Sequence, residues 1–235
     1  MKILITLDGS TASGKSTVAR LVAQELDIMY LNSGLLYRAL GYILMRDYTY
    51  TPDHLLSLDQ MLGNRVMHVI SPYTLVYAYA ASTGPQIIYR GEDITDFLKN
   101  PVVDRAASII SLHSMVRERL LPFQRLLAES SSLIADGRDC GTIVFPNASH
   151  KFFLTALLDV RAQRWQRDQL KKGYVVDAAA AQTAVHERDT RDSLRTIAPL
   201  VPASDACHID TSTMSLEAVV QEILVLVRTK KESPR

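Results

Sequence analysis

The chain has 235 residues, 47% of them hydrophobic, and a formal net charge of +1. This length and composition allow a substantial core within one domain or one domain with inserts. The near-neutral charge excludes a global basic field, so we expect neither a nucleic acid nor an anionic membrane as a partner. The apolar stretch between Lys2 and Asp8 is too short for a signal-peptide core or a membrane span. We therefore expect a cytoplasmic monomer that acts on small molecules.

Short runs rich in Ile, Leu, Val and Phe alternate along the chain with longer helical patterns. The runs are KILITL, IMYL, SLIAD, KFFLTA and CHID. Strands buried on both faces have this composition, so the alternation predicts an α/β fold with a parallel sheet and helices on each side. Apolar residues at helical spacing predict a helix from Val18 to Leu26 and a last helix from Leu216 to Val227, with Ser215 as its N-cap.

Two segments depart from this pattern. From about 63 to 97, the runs RVMHVI, TLVYAYA and QIIYRGEDI are separated by SPY and ASTGP, which predicts a small inserted antiparallel sheet. From about 161 to 197 the chain is polar and rich in arginine, and the alanine run DAAAAQTAV predicts a helix there. We interpret both segments as inserts within one folding unit.

The cysteines and histidines do not suggest a metal site or a disulfide. Cys140 and Cys207 lie far apart without a CxxC spacing, and in a cytoplasmic protein this predicts two free thiols. The six histidines form no metal-ligand pattern, so no structural metal is expected. Cys140 lies within DGRDCGT, where a bound substrate would be close.

Residues 9 to 16 read GSTASGKS and match the pattern GxxxxGK[ST], with a strand pattern before them and a helical pattern after them. Gly9 and Gly14 permit a close approach that side chains would block, so that successive N–H groups can curl around phosphate oxygens at a helix N-terminus. Lys15 adds a positive charge for the β- and γ-phosphates, and the Ser16 hydroxyl is a magnesium ligand. The motif predicts a site for a nucleoside triphosphate with Mg²⁺.

A P-loop alone does not separate kinases from switches or motors. The sequence has neither the NKxD element nor the DxxG loop of a guanine switch, and it is short for a motor. Arginines are instead grouped in SGLLYR, DGRD and RDTRDSLR. Arginine suits bidentate binding of phosphate and neutralisation of charge during phosphoryl transfer, so this grouping favours a kinase. Arg161, Arg164 and Arg167 are equally compatible with a solvated helix face.

The segments DGSTASGKST, LNSGLLYR, LIADGRDCGTIVFPNA and ERDTRDSLRTIAPLVPASDA, with a terminal helix after HIDTS, closely resemble bacterial cytidylate kinases of the nucleoside monophosphate kinase family. The likeness runs from residue 2 to about 228. It implies a P-loop kinase fold in which a central five-stranded parallel sheet is flanked by helices. The core would comprise about 1–35, 115–160 and 198–228, with a monophosphate-binding region at about 36–114 and a helical lid at about 161–197.

The same resemblance implies the reaction and its site residues. The reaction is ATP-dependent phosphorylation of CMP and dCMP to CDP and dCDP by direct in-line transfer, in pyrimidine nucleotide metabolism. ATP would be bound by the P-loop and one lid arginine: Gly9, Ser10, Thr11, Ala12, Ser13, Gly14, Lys15, Ser16, Thr17 and Arg164. The acceptor would be bound by Ser33, Arg38, Ser108, Arg117, Arg138, Asp139, Arg188, Asp192 and Arg195. Catalysis would depend on the charges of Lys15, Arg38, Arg138 and Arg188.

Two carboxylates receive more specific roles. Cytosine presents an amino donor at N4 and acceptors at N3 and O2, so Asp139 would accept from the amine while Arg117 donates to the acceptors. Asp136, at the end of SLIAD, is assigned an indirect role toward Mg²⁺.

The chain departs from the family pattern at several positions. Asn32 stands where an aspartate is usual, and Ser10 replaces a proline that often follows the first P-loop glycine. Trp165 replaces the second arginine of a lid pair, which leaves Arg164 or Arg167 to reach ATP.

Two other functions stay open at the level of the residues. One is a kinase for a different nucleoside monophosphate or for a hydroxylated metabolite, in which Asp8 or Asp139 would be the base that a hydroxyl acceptor needs. The other is a nucleotide sensor on the same fold, which would bind ATP without acceptor-dependent release of ADP.

Overall fold

The computed structural model describes residues 2–57, 60–71 and 73–229. Within these ranges the chain forms eight strands and eight α-helices. The strands are β1 (Leu4–Gly9), β2 (Met29–Asn32), β3 (Leu75–Ala80), β4 (Gly84–Tyr89), β5 (Glu92–Asp93), β6 (Leu133–Gly137), β7 (His150–Thr155) and β8 (Cys207–Asp210). The α-helices are α1 (Lys15–Leu26), α2 (Ser33–Tyr48), α3 (Gln60–Val69), α4 (Pro101–Ile110), α5 (Ser114–Ser130), α6 (Leu158–Lys171), α7 (Ala178–Leu194) and α8 (Leu216–Thr229).

The central sheet has five strands in the order β2-β6-β1-β7-β8. The pairings of β1 with β7 and of β7 with β8 are parallel, with Asp8 opposite Phe153 and Leu154 opposite Ile209. Each of the five apolar runs forms one of these strands, which confirms the predicted α/β fold. Every residue of β6 is buried, and so are five of the six in β1, as expected for strands covered on both faces.

The chain divides into two compact units. One unit comprises Met1–Ile28 with Ile134–Arg235, and the other comprises Met29–Leu133. The first unit contains the P-loop, the DGRD segment and the two helices of the predicted lid. The second contains the antiparallel sheet and helices α2 to α5.

The first and last helices of the chain have the apolar faces that their spacing predicts. Helix α1 buries Val18 and Val22, and it packs against α8. Helix α8 buries an apolar stripe consisting of Val219, Val220, Ile223, Leu224 and Val227. The Ser215 hydroxyl accepts a hydrogen bond from the Ala218 N–H at 3.2 Å, which confirms Ser215 as the N-cap.

The predicted lid segment consists of α6 and α7, which pack against each other. Asp177 caps α7, because its carboxylate accepts from the Ala180 N–H at 2.8 Å. Ala181 and Val185 provide the buried face of α7. The alanine run therefore lies in a helix, as predicted. No helix in the described part of the chain has both the length and the apolar character needed to cross a bilayer.

The second unit corrects one strand prediction. The run RVMHVI lies mainly in helix α3, because Leu62, Val66 and Val69 are fully buried at the i, i+4, i+7 spacing of a helix face. The antiparallel sheet instead has the order β3-β4-β5.

The segment QIIYRGEDI is likewise two strands rather than one. Strands β4 and β5 are joined by a turn at Arg90 and Gly91, both with positive φ (51° and 85°). Positive φ at both central residues is the requirement of the tight hairpin turn whose twist matches that of the flanking strands.

Candidate active site

The P-loop has the backbone geometry that its two motif glycines allow. A Cβ on Gly9 would lie 2.2 Å from the carbonyl oxygen of Leu154, so only glycine fits where β1 passes β7. Gly14 has a φ of 95° and is the N-cap residue of α1, which begins at Lys15. The loop therefore ends on a helix N-terminus, where backbone N–H groups and the helix dipole favour anions.

The lysine and serine of the motif are both engaged with neighbouring groups. The Lys15 side chain is buried, and its ammonium donates to the Ser10 carbonyl at 2.9 Å. Burial, together with the charges of Arg138 and Arg188, lowers the pKa of Lys15 well below its ordinary value despite the carboxylates of Asp136 and Asp192. Lys15, Arg138 and Arg188 therefore belong to one charged cluster beside the P-loop, together with the two carboxylates.

The Ser16 hydroxyl donates to the carboxylate of Asp136 at 2.5 Å. Asp136 is buried near the end of β6, two residues before Arg138. The sequence suggested an indirect role for Asp136, and the structure brings its carboxylate into direct contact with the predicted magnesium ligand.

Arg138 connects the DGRD segment to the lid and to the P-loop. Its Nε donates to the Asp192 carboxylate at 2.6 Å, and its Nη2 donates to the Thr11 hydroxyl at 3.2 Å. Burial raises the pKa of Asp192, but the guanidiniums of Arg138, Arg188 and Arg195 outweigh that effect and hold this pKa below its ordinary value. Asp192 therefore stays ionised within a cluster of arginines.

Asp139 and Arg195 lie close together in the same cluster. An oxygen of the buried Asp139 carboxylate lies 3.7 Å from Nη2 of Arg195, whose own side chain is 5% exposed. Arg195 also donates to the Ala198 carbonyl. The structure thus brings the predicted DGRD and lid residues together within the first unit.

Asp8 occupies a buried position beneath the DGRD segment. Its two carboxylate oxygens accept hydrogen bonds from the Cys140 and Gly141 N–H groups, at 2.9 and 2.7 Å. Burial raises the pKa of Asp8 to about 6, although these two bonds oppose the shift. Asp8 therefore holds the turn that follows Asp139, and its engaged oxygens make it a poor candidate for the catalytic base of a hydroxyl kinase. Cys140 is buried and Cys207 is exposed, and the two are not joined in a disulfide.

The lid arginines differ in what they contact. Arg164 donates to the hydroxyl and the carbonyl of Thr211 at 2.9 and 2.7 Å, and it reaches the Ser13 carbonyl at 3.4 Å. Arg164 thus lies against the P-loop, and its predicted contact with ATP stays a prediction. Arg167, in contrast, is exposed.

Arg161 and Asp189 form an ion pair that also contacts the P-loop. Sequence reasoning gave neither residue a site role. The signal available was their place in RAQRWQR and ERDTRD, but charged residues on polar helices are most often solvated.

The second unit carries the other four predicted acceptor residues. Ser33 is buried at the first turn of α2, and Arg38 on the same helix donates to Asp104 at 2.5 Å. Ser108 lies half-buried on α4. Arg117 on α5 is buried, donates to the Ser111 carbonyl at 3.2 Å, and places its guanidinium over the Tyr37 ring.

Asn32, where the sequence departs from the family pattern, is the N-cap residue of helix α2. Its side-chain oxygen accepts from the Leu35 N–H at 3.1 Å and so caps α2. An amide oxygen satisfies the free N–H of a helix end about as well as a carboxylate does. Asn32 therefore stabilises the first turn of the helix that carries Ser33 and Arg38.

A P-loop at the end of a parallel strand, with a buried lysine and converging arginines, defines a P-loop kinase. Residues 5–229 match the model of the family described as Cytidylate kinase. The chain belongs to this family and is a nucleoside monophosphate kinase.

Individual relatives agree with this assignment over nearly their whole length. The chain is 40% identical to a cytidylate kinase of Pseudomonas aeruginosa (strain LESB58), covering 94% of this chain and 93% of that one. It is 35% identical to a cytidylate kinase of Geobacillus sp. (strain WCH70), covering 97% of each. Among solved structures, an uncharacterized protein from Eubacterium ventriosum ATCC 27560 is similar in fold alone, with a TM-score of 0.53 and 13% identity over 97% of this chain and 99% of that one.

Proposed function

We propose that this protein transfers the γ-phosphoryl group of ATP to CMP and dCMP, forming CDP and dCDP by direct in-line displacement. The observation that carries the proposal is the concentration of Lys15, Arg138 and Arg188 beside the P-loop of a member of the cytidylate kinase family. A positively charged cluster of this kind suits a reaction in which two polyanions meet and negative charge passes between them.

The acceptor in this reaction needs no general base. The phosphate of a nucleoside monophosphate has a second pKa of about 6 and is largely ionised at neutral pH. Lys15 would neutralise the donor, while Arg38, Arg138 and Arg188 would bind the acceptor phosphate and the moving group. The engagement of both Asp8 oxygens by backbone N–H groups supports this acceptor over a hydroxyl.

The contact between Ser16 and Asp136 fits a magnesium ion. A hydroxyl and a carboxylate 2.5 Å apart are hard oxygen ligands of the kind that Mg²⁺ prefers. Ser16 would hold the ion directly and Asp136 would support it, and the ion would neutralise charge on the ATP phosphates. The P-loop residues from Gly9 to Thr17 and the guanidinium of Arg164 would bind the rest of the donor.

Cytosine would be recognised by hydrogen bonds of opposite polarity. Asp139 would accept from the N4 amine, and Arg117 would donate to N3 and O2. Ser33 would assist at the base, and the sugar hydroxyls would be met by Ser108, Asp192 and Arg188. Arg195 would bind the acceptor at its base or at its phosphate. The segment at about 36–114 would serve as the monophosphate-binding region, and about 161–197 as a lid that closes over both nucleotides.

The direct test is a coupled assay of ADP release with ATP, Mg²⁺ and a panel of acceptors. CMP and dCMP should support turnover, while UMP and AMP should support much less. A preference for UMP, AMP or a hydroxylated metabolite would overturn the assignment of the acceptor. ATP binding without acceptor-dependent ADP release would indicate a nucleotide sensor instead.

Lys15→Ala tests the donor site. Removing a charge at the transferring group should lower turnover at least about a hundredfold with the fold preserved. The matched control is Lys171→Ala, because Lys171 is 79% exposed on α6 and pairs only weakly with Asp168 at 3.6 Å. Turnover of Lys15→Ala near that of the control at saturating ATP and CMP would contradict the P-loop assignment.

A further inference from the structure

The third residue of the P-loop, Thr11, is held at three of its atoms by side chains from outside the loop. Its N–H donates to Oδ1 of Asp189 at 2.9 Å. Its carbonyl accepts from Nη1 of Arg161 at 3.2 Å, and its hydroxyl accepts from Nη2 of Arg138 at 3.2 Å. Thr11 is 4% exposed, so these contacts are shielded from water.

The Asp189 carboxylate joins three parts of the first unit. One oxygen takes the Thr11 N–H, and the other pairs with the guanidinium of Arg161. Arg161 lies on α6 and also donates to the Ala156 carbonyl at 2.8 Å, before the helix begins. Both side chains of the pair are largely buried, with 11% and 17% exposure. One carboxylate therefore ties α7 to α6 and to the P-loop.

This contact lies beside the lid residues proposed to act on the phosphates. Asp189 follows Arg188 directly, and Asp192, one helical turn further along α7, pairs with Arg138. The two carboxylates are spaced i and i+3, so they lie on the same side of the helix. With both carboxylates engaged, the rotation of α7 about its axis and its distance from the P-loop are determined. The backbone position of Arg188 is determined with them.

We propose that Asp189 is a positioning residue that holds helix α7 on the P-loop through Thr11 and Arg161 and thereby sets Arg188 for phosphoryl transfer. This inference rests on the function proposed above. It adds Asp189 and Arg161 to the machinery of that reaction, although neither of them needs to touch a reacting atom.

A carboxylate on a P-loop amide could instead compete with phosphate, and the geometry disfavours that role. The charge of Asp189 is already neutralised by Arg161. Its contact is at Thr11, whereas the helix N-terminus that suits phosphate begins at Lys15. The contact therefore lies four residues before the first residue of helix α1.

The test uses Asp189→Ala in the full chain, with Asp168→Ala as the matched control. Asp168 is also a lid carboxylate, but it is 65% exposed on α6. Trp165 is the single tryptophan of the sequence and lies half-buried on α6, so its fluorescence reports on the lid without any substrate. The measurements are kcat and KM for ATP and CMP, and acrylamide quenching of Trp165 in the ligand-free protein.

Asp189→Ala should lower kcat at least about tenfold, change both KM values less than about threefold, and increase the quenching of Trp165. The control Asp168→Ala should leave kcat, both KM values and the quenching of Trp165 within about twofold of the wild-type values. Arg161→Met should act similarly, and the double variant should be no worse than the poorer single variant, because both changes break one contact. If Asp189→Ala does not fold, Asp189→Asn tests the ion pair with Arg161 by the same measurements, since it keeps an acceptor for Thr11 but loses the charge.

Unchanged kcat and unchanged quenching would overturn the proposal. A lower kcat with unchanged quenching would also overturn it, because Asp189 would then act without holding the lid. Tighter ATP binding with undiminished kcat would show competition with phosphate and would overturn it as well. Failure of the wild-type chain to phosphorylate CMP would instead overturn the proposed function, while the quenching comparison would still decide whether Asp189 holds the lid.

Discussion

Nε of Arg138 donates to the carboxylate of Asp192 at 2.6 Å, joining the residue that follows β6 to helix α7. The two residues are 54 positions apart, and their side chains are 15% and 11% exposed. Both residues belong to a cluster that also holds Lys15 and Arg188. Single and double substitutions at this pair can separate the contribution of Arg138 to stability from its contribution to activity.

Arg138→Met should lower kcat/KM for CMP at least about a hundredfold, because it removes a charge proposed to act on the transferring group. It should also destabilise the fold by about 3 kcal/mol, since Asp192 is left as a buried carboxylate without its main partner. The double variant Arg138→Met, Asp192→Asn should regain part of that stability but none of the activity. Steady-state kinetics and urea unfolding measure the two effects.

Arg191→Met is the matched control for this prediction, because Arg191 is an exposed arginine on the same helix. It should change activity and stability little. Equal activity of Arg138→Met and Arg191→Met would contradict the assignment of Arg138 to the reaction.

Asp139→Asn should weaken the use of CMP and narrow its advantage over UMP. A carboxylate can only accept from the cytosine amine, whereas an amide can offer a donor to uracil O4. A mismatched base leaves a buried polar group unpaired, at roughly 1 to 3 kcal/mol for each group. The measurement is kcat/KM for both nucleotides at fixed ATP and Mg²⁺, and an unchanged CMP to UMP ratio would remove Asp139 from base recognition.

Arg117→Met makes the contrasting change in the second unit. It removes donors and supplies no new group, so KM for CMP should rise without any gain for UMP. A gain of UMP activity in this variant would mean that Arg117 excludes uracil instead of binding cytosine.

Asp8 should make the stability of the protein depend on pH between about 4 and 6. Its folded-state pKa of about 6 lies above the ordinary value of 3.8, so the folded protein binds this proton more tightly than the unfolded chain. The stabilisation is full below about pH 4 and is lost as the pH rises through 6, by roughly 3 kcal/mol. Urea unfolding across this pH range should show that the free energy of unfolding falls more steeply with pH for the wild type than for Asp8→Asn. Parallel curves for the two proteins would contradict the raised pKa.

Gly9→Ala should prevent stable folding or lower the free energy of unfolding by at least about 3 kcal/mol. The new Cβ would lie 2.2 Å from the backbone carbonyl oxygen of Leu154, so β1 or β7 would have to move. Gly84→Ala is the control. Gly84 also has a positive φ, 77°, but a Cβ there has open space around it, so the cost should be about 1 kcal/mol. Similar melting temperatures for the two variants would show that the sheet absorbs the contact at Gly9.

Elements whose signals are local could be predicted from the residues alone. The five strands appear as apolar runs, the P-loop as a motif between a strand and a helix, and α8 as a stripe from Val219 to Val227 with its cap at Ser215. The family was also recognisable from short motifs, whereas the acceptor residues that the resemblance implies stay a prediction. The strand predicted at RVMHVI was wrong because an apolar run of six residues is too short to separate a period of 2 from a period of 3.6.

The contacts between charged side chains, in contrast, depend on how the helices, strands and loops pack in three dimensions. Ser16 and Asp136 are 120 positions apart, and Thr11 and Asp189 are 178 apart. The sequence places Asp189 and Arg191 on one polar helix, and it does not show that Asp189, whose side chain is 17% exposed, contacts the P-loop while Arg191 is exposed. The physical reason is that a helix repeats every 3.6 residues whatever it touches, whereas the partners of its side chains depend on how the helix packs against the sheet and the loops.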